Sequence, residues 1–263
     1  MKTAVIIQAR MASTRLPGKV LRTLAGATVL AHVIERCRAI RGADVVCCAV
    51  SDDRDSDPVA REAERVGAAV FRGSEHDVLD RYWQAANWLG ADLVMRVTSD
   101  CPLVDPEVCD AVLDLQRSTG ADYACNNMPP SWPHGLDCEA CTFAWLTRAH
   151  REAVRPSERE HVTPFIRNHP EARKVNLPGP GGDAVHHRWT IDHPADFTFL
   201  TEIFSRLPPG RGGWHWQVPF GIVSAEPELA MINRGFDRYE GLRKSLAEDA
   251  RRMQTGVNHG LDS

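Results

Sequence analysis

Apolar positions along this chain fall into two alternating patterns: short continuous runs, and longer stretches with one apolar face at helical spacing. The run Ala4 to Ile7 predicts a strand buried on both faces. Val29, Leu30, Val33, Ile34, Cys37 and Ile40 share one face of a helix over 28–40. A second strand is predicted at 45–50. A helix then opens at Asp57-Pro58, an N-cap followed by proline, and stops at Gly67. Residues 69–71 form a short strand. The helix after Asp77 buries Val78, Leu79, Tyr82, Trp83 and Ala86 and ends at Gly90; the next strand covers 92–97. Asp105-Pro106 opens a further helix to about residue 118. This β-α alternation predicts an α/β fold, a three-layer αβα sandwich around a mostly parallel mixed sheet.

After Asp122-Tyr123-Ala124-Cys125 the rhythm changes. Residues 126–135, rich in Asn, Pro, Trp and Gly, read as a loop, and 136–142 alternate as a strand. Helices are predicted at 143–154 and 158–168. Strands at 173–177 and 187–191 flank a flexible turn or lid at 178–182. Pro194 opens a helix to about residue 206, 208–213 is a loop, and the polar tail from 256 to 263 is frayed. The expected organisation is one domain over 1–255, with 126–170 as an insertion serving the acceptor or dimerisation.

The loop after the first strand carries the chemistry. Gln8-Ala9-Arg10-Met11-Ala12-Ser13-Thr14-Arg15-Leu16-Pro17-Gly18-Lys19 places three cations and two hydroxyls at the carboxyl end of a central strand, where open α/β sheets bind ligands. Arginine grips phosphate with a planar fork and lysine adds a mobile point charge, so the loop suits a polyphosphate. It matches neither the P-loop nor the dinucleotide fingerprint. Asp100, in Arg96-Val97-Thr98-Ser99-Asp100-Cys101-Pro102-Leu103, lies at the same sheet edge. On local grounds it reads equally as a turn residue and as a ligand for Mg²⁺, which takes one or two carboxylates plus substrate phosphates. Asp105 reads as a helix cap.

These segments resemble the cytidylyltransferases that activate acidic sugars as CMP esters. The likeness is strongest to the branch of spore-coat polysaccharide biosynthesis protein F, and more distant to CMP-3-deoxy-manno-octulosonate and CMP-sialate synthetases. It covers about residues 2–200. It implies a Rossmann-like nucleotidyltransferase fold. It also implies Mg²⁺-dependent transfer of CMP from CTP to an acidic sugar, with release of pyrophosphate. By resemblance, Ala9, Arg10, Ser13, Arg15 and Lys19 bind the nucleotide, with Arg10, Lys19 and Asp100 catalytic. Phe71-Arg72-Gly73-Ser74-Glu75-His76-Asp77-Val78-Leu79-Asp80-Arg81 adds Arg72 and Arg81 near the base, although Arg81 also reads as a solvent-facing or ion-paired helical residue. Trp189-Thr190-Ile191-Asp192-His193-Pro194-Ala195-Asp196 supplies the second metal ligand, Asp192, with His193 where the family has threonine; Asp196 reads as helix support. His134, Asp137 and Glu139, then Arg159 and His161, border the acceptor pocket by the same likeness. Arg159 reads equally as part of a capped helix start. His134 replaces an acid, which points to a more anionic acceptor.

Composition changes this picture little. With 31 Lys plus Arg against 35 Asp plus Glu in 263 residues, no basic excess argues for nucleic acid. No apolar run approaches the ~20 residues of a membrane span, and no secretion signal is visible. The eight cysteines read as buried thiols of a cytoplasmic protein, and the lone pair Cys138 and Cys141 as strand residues. Relatives pair as homodimers; Trp132, Phe143 and Trp145 are contacts by that analogy, or ordinary core. Two alternatives stay open: the same transfer to a phosphonate, and a nucleotide-sugar-dependent glycosyltransferase of the same fold. Against the second, Asp52-Asp53-Arg54-Asp55 reads as helix-entry punctuation rather than a metal motif.

Overall fold

The computed structural model describes residues 1–208 and 214–258. Its centre is β1 (Thr3–Ala9), flanked on both sides by parallel partners, β4 (Val45–Ser51) and β6 (Leu93–Thr98). The small hairpin β2 (Thr23–Leu24) and β3 (Ala27–Thr28) stands apart. With β5 (Ala69–Gly73), β7 (Tyr123–Cys125), β8 (Glu139–Thr142) and β9 (Lys174–Asn176), the main sheet has seven strands in the order β5-β4-β1-β6-β8-β7-β9. Only β8 runs against its neighbours, so the sheet is mixed and mostly parallel.

The apolar run of β1 fills both faces. Val5, Ile7 and Ala9 point into one core; Ala4 and Ile6 point into the other. The first core packs α1 (Val29–Arg38), α2 (Asp57–Arg65), α4 (Pro106–Thr119) and α8 (Pro194–Arg206). The second packs α3 (Val78–Leu89), α5 (Phe143–Glu152) and α7 (Pro164–Asn168). This is the expected αβα sandwich. After β5 the chain returns to the other side of β1, so the loops leaving β1 and β6 part and open a crevice at their carboxyl ends.

Several local expectations need correction. No strand forms over 187–191; the segment instead hangs on backbone bonds to separate partners, Trp189 N–H to the His134 carbonyl and Ile191 N–H to that of Asp100. The helix expected over 158–168 splits into α6 (Pro156–His161) and α7, because Val162 adopts φ 71° and Pro164 restarts the helix. The segment 178–182 is no free lid. Gly179 N–H donates to Ser131 Oγ at 2.7 Å, and a Cβ at Gly179 would come within 2.7 Å of the Ser131 carbonyl and the Trp132 ring. The expected loop at 209–213 and the tail at 259–263 lie outside the described residues. Two helices were not expected, α9 (Gln217–Ala225) and α10 (Glu240–Asn258). Among the described residues no helix is long and apolar enough to cross a membrane.

Asp105 shows how the unexpected part is tied down. One carboxylate oxygen accepts from Glu107 and Val108 N–H at the start of α4, and the other accepts from Trp216 N–H at 2.5 Å, beside α9. The residue is fully buried. Asp105→Ala is expected to lower unfolding stability by about 2–4 kcal/mol, a lost cap plus an orphaned buried N–H. Urea denaturation checks this, and a loss below about 1 kcal/mol would show that water replaces the carboxylate.

Candidate active site

Lys19 organises the crevice. Its loop leaves β1 through Gly18, which takes φ 65°, and the following 3-10 turn over Lys19–Leu21 aims the side chain back across the sheet edge. The ammonium donates to Asp100 Oδ2 at 2.7 Å, to the Ile191 carbonyl at 2.7 Å and to Asp192 Oδ1 at 2.9 Å. All its donors are used. Asp100 stands at the end of β6, where Thr98 Oγ1 donates to its other oxygen at 2.5 Å. Asp192 also receives Arg15 at 2.9 Å and Arg188 at 3.0 Å.

The electrostatics follow from that geometry. Burial opposes charge on each partner, but the Lys19 ammonium outweighs it and holds the Asp100 carboxyl below its ordinary range. Asp192 is held down the same way, by Lys19 first and then Arg15 and Arg188. Lys19 in turn is raised by Asp100 and Asp192 against the cost of its burial. Asp196 secures the platform beneath: fully buried, it pairs with Arg188 at 2.8 Å and accepts from the N–H groups of Asp192 and His193. It is a support at the head of α8, as expected.

A cavity of about 1100 Å³ opens over this cluster. Ligand pockets for one drug-sized molecule run to roughly 300–1,000 Å³, so the space lies at the upper end of that range. Ala9, Arg10, Ser13 and Arg15 line it as expected, and so does Arg81. Arg81 is not solvent-facing: it is 1% exposed, gives one nitrogen to the Ser74 carbonyl at 2.6 Å and leaves Nε without a partner among the described residues. Gln8 Oε1, also on the lining, is likewise buried and unpartnered. Arg72 is not brought to the cavity. It turns toward the start of α2, 2.6 Å from Asp57 and 3.0 Å from the Asp53 carbonyl.

The expected acceptor residues all line the cavity, with their charges already engaged. Glu139 sits opposite Arg96 in the β6–β8 register, 2.7 Å from it, with Arg167 at 3.7 Å and hydrogen bonds from Tyr123 and Thr163. Burial favours its neutral acid, but Arg96 and Arg167 hold it ionised. Asp137 pairs with Arg238 at 2.6 Å. Arg159 clamps Asp77, the cap of α3, and His161 bonds Ser245 at 2.9 Å. His134 lies 3.3 Å from Arg188 and 3.8 Å from Asp137. Burial pushes its pKa down, so the imidazole is neutral at pH 7 and does not by itself favour a more anionic acceptor.

Asp53 caps the 3-10 turn ahead of α2 by accepting from Ser56 N–H, which accounts for the acidic run there. All eight cysteines are buried and free. Trp132 is core, edge-on to Trp216 with centroids 5.5 Å apart. The sequence reading missed Arg188 and Arg238, which hold Asp192 and Asp137, and Glu240, which sits 3.3 Å from Arg15 and 3.0 Å from His193. Arg188 was visible beside Trp189; nothing local marks the other two.

A family model described as cytidylyltransferase matches residues 4–207. The chain is 34% identical over 238 residues to the spore coat polysaccharide biosynthesis protein SpsF of Bacillus subtilis, covering 88% of this chain and 94% of that protein. It is 42% identical over 118 residues to a 3-deoxy-manno-octulosonate cytidylyltransferase of Anaeromyxobacter dehalogenans, covering 44% and 47%. A solved cytidylyltransferase from Leptospira borgpetersenii superposes with TM-score 0.84 at 28% identity, covering 90% of this chain and 99% of that one.

Lys19→Met removes the cation that keeps Asp100 and Asp192 acidic. Groups with depressed pKa values stabilise the fold above their ordinary range, about 4, and lose that contribution as pH falls through the depressed values. The stability gap between wild type and Lys19→Met is therefore expected to be largest near about pH 7 and to shrink by about pH 3. Urea midpoints at the two conditions test it; a gap that widens in acid contradicts it.

Proposed function

This chain belongs to the cytidylyltransferase family, and on that premise we propose that it transfers CMP from CTP to an acidic sugar in surface polysaccharide synthesis, releasing pyrophosphate. The observation that carries the reading is the convergence of Asp100 and Asp192 on the Lys19 ammonium, one of the three cations of the loop after β1. A 1100 Å³ cavity stands over it.

The residues fit a hard divalent cation such as Mg²⁺. Among the described residues no group of three or more His, Cys, Asp or Glu is arranged as a metal cage. Two carboxylates with the remaining positions left to phosphate and water are what magnesium prefers over a closed cage. The Lys19 ammonium, held by both carboxylates, supports reading the pair as a place for positive charge. Asp100 and Asp192 would hold the metal, which when bound neutralises phosphate charge and polarises the α-phosphoryl group.

The chain's own groups do the rest by positioning and charge. Lys19, held by Asp100 and Asp192, and Arg15, held by Asp192 and Glu240, exchange those carboxylates for the triphosphate. Arg10, exposed on the same loop, meets the phosphates from the solvent side. Two of the lining's orphaned polar atoms support a nucleobase nearby. Gln8 Oε1 is an acceptor for an amine such as that of cytosine, and Arg81 Nε is a donor for a ring carbonyl. An acceptor oxygen attacks the α-phosphorus in line, the bond to the β-phosphate oxygen breaks, and pyrophosphate leaves. A carboxylate or phosphate oxygen is already ionised at pH 7 and needs no general base, whereas a sugar hydroxyl would give up its proton to a base or to water, which a metal held by Asp100 and Asp192 would assist by lowering the hydroxyl pKa.

Pyrophosphate release with each of the four nucleoside triphosphates, Mg²⁺ or Mn²⁺, and a panel of acidic sugars and phosphonates tests the reading. Release is expected with CTP and an acidic sugar, and to cease with chelator. Asp100→Ala is expected to abolish turnover with the fold intact, and Lys19→Ala to slow it by roughly 10²–10³-fold. Normal turnover by Asp100→Ala would remove the metal assignment. Sugar transfer from a nucleotide sugar, without pyrophosphate release, would replace the reaction.

A further inference from the structure

Helix α10 lies beyond the residues that the family model matches, yet it forms one wall of the cavity. It docks on α6 through a polar seam. Asp249 accepts from the Ser157 N–H at 3.0 Å and from its hydroxyl at 2.5 Å. Ser245, one turn earlier, donates to Glu160 at 2.6 Å and meets His161 at 2.9 Å. Both are buried. Directional bonds fix the rotation of a helix more sharply than apolar contact does. They therefore set which stripe turns to the cavity: Lys244, Glu248 and Arg252, at i,i+4 spacing.

Glu248 pairs with Arg252 at 3.1 Å. Among the described residues Lys244 has no carboxylate within 4.0 Å. His161 joins this stripe to the Glu139 cluster: it bonds Ser245 and lies within electrostatic reach of Arg96 and Arg167. That cluster sets two guanidiniums against one carboxylate, and Arg96 Nε is buried without a partner. The charges of this end balance overall, since Glu160 and Glu248 share the lining, but Glu160 is taken up by Ser245 and Glu248 by Arg252, which leaves the second guanidinium of the Glu139 cluster and the Lys244 ammonium without a carboxylate of their own, on residues separate from the Lys19 cluster.

We propose that α10 is the acceptor-selecting wall of the cavity, and that Lys244, with Arg96 and Arg167, binds an anionic group of the acceptor remote from the oxygen that attacks the nucleotide. The inference rests on the nucleotidyl-transfer reading above. The group is a carboxylate or a phosphate, for both present the oxygens that an ammonium and guanidiniums recognise. Lys244 is exposed and makes no contact on which the fold relies, so its substitution tests recognition rather than folding.

Calorimetry on the full chain measures binding of gluconate, glucose 6-phosphate and glucose to wild type, Lys244→Ala and Lys244→Glu. One anionic sugar is expected to bind wild type, about tenfold or more weaker to Lys244→Ala, and weaker still to Lys244→Glu. Which one binds distinguishes carboxylate from phosphate. Glucose is expected to be indifferent to the substitution. CTP affinity is expected to stay within about twofold. Equal binding of the anionic sugar to wild type and Lys244→Ala, no binding of either anion to wild type, or a matched loss of CTP affinity would each overturn the proposal. Pyrophosphate release is read separately. Lys244-dependent binding without any CTP-dependent release would sink the transfer reading and leave the anion site standing.

Discussion

One ammonium holds the functional edge of this protein together. Lys19 comes from the loop after β1, Asp100 from the end of β6, and Ile191 and Asp192 from the approach to α8, and the three segments meet at its three protons. Removing one partner of a buried ion cluster typically costs about 3–5 kcal/mol, because charges already stripped of water are left uncompensated. Under the proposed function the same arrangement would serve ion exchange. Cation and carboxylate are already matched within the protein, so Asp100 and Asp192 would be free to hold a divalent metal, and Lys19 a triphosphate, with little net desolvation of unpaired charge.

The sheet was legible because its causes are local. Ala4 to Ile7 is apolar on both sides, and a strand buried on both faces requires that. Asp57-Pro58, Asp77 and Asp105-Pro106 start helices by cap chemistry that depends on neighbours two or three residues away. The meeting of the cationic loop with Asp100 was legible for a related reason: the carboxyl ends of adjacent parallel strands share one edge, so residues distant in sequence must meet there.

Where the reading failed, the deciding partner was far along the chain. Residues 187–191 have the composition of a strand, but their backbone groups answer to His134 and Asp100 rather than to a ladder. Arg72 and Arg81 looked alike as cations near the base. A neighbour's carboxylate, Asp57, draws the first away, and burial fixes the second in the lining. Charge at His134 could not be read from its identity, because it is set by burial among Arg188, Arg238 and Asp137.

The part of the chain beyond α8 was opaque for a further reason. Sequence periodicity detects helices that bury apolar faces, and α10 buries Ser245 and Asp249 instead. A polar seam is invisible to that test, yet it is the more exacting way to dock a helix, since a half-satisfied seam is worse than an apolar one. Such a device suits a wall whose exact rotation matters. Glu240 makes the same point at the other end of the helix: it bridges His193 and Arg15, where rotation by one residue would break both contacts. The first turn of α10 is thus tied to the cationic loop after β1 and its middle to the α6 end of the cavity. A helix that touches both ends of one cavity couples the positions of whatever the two ends bind.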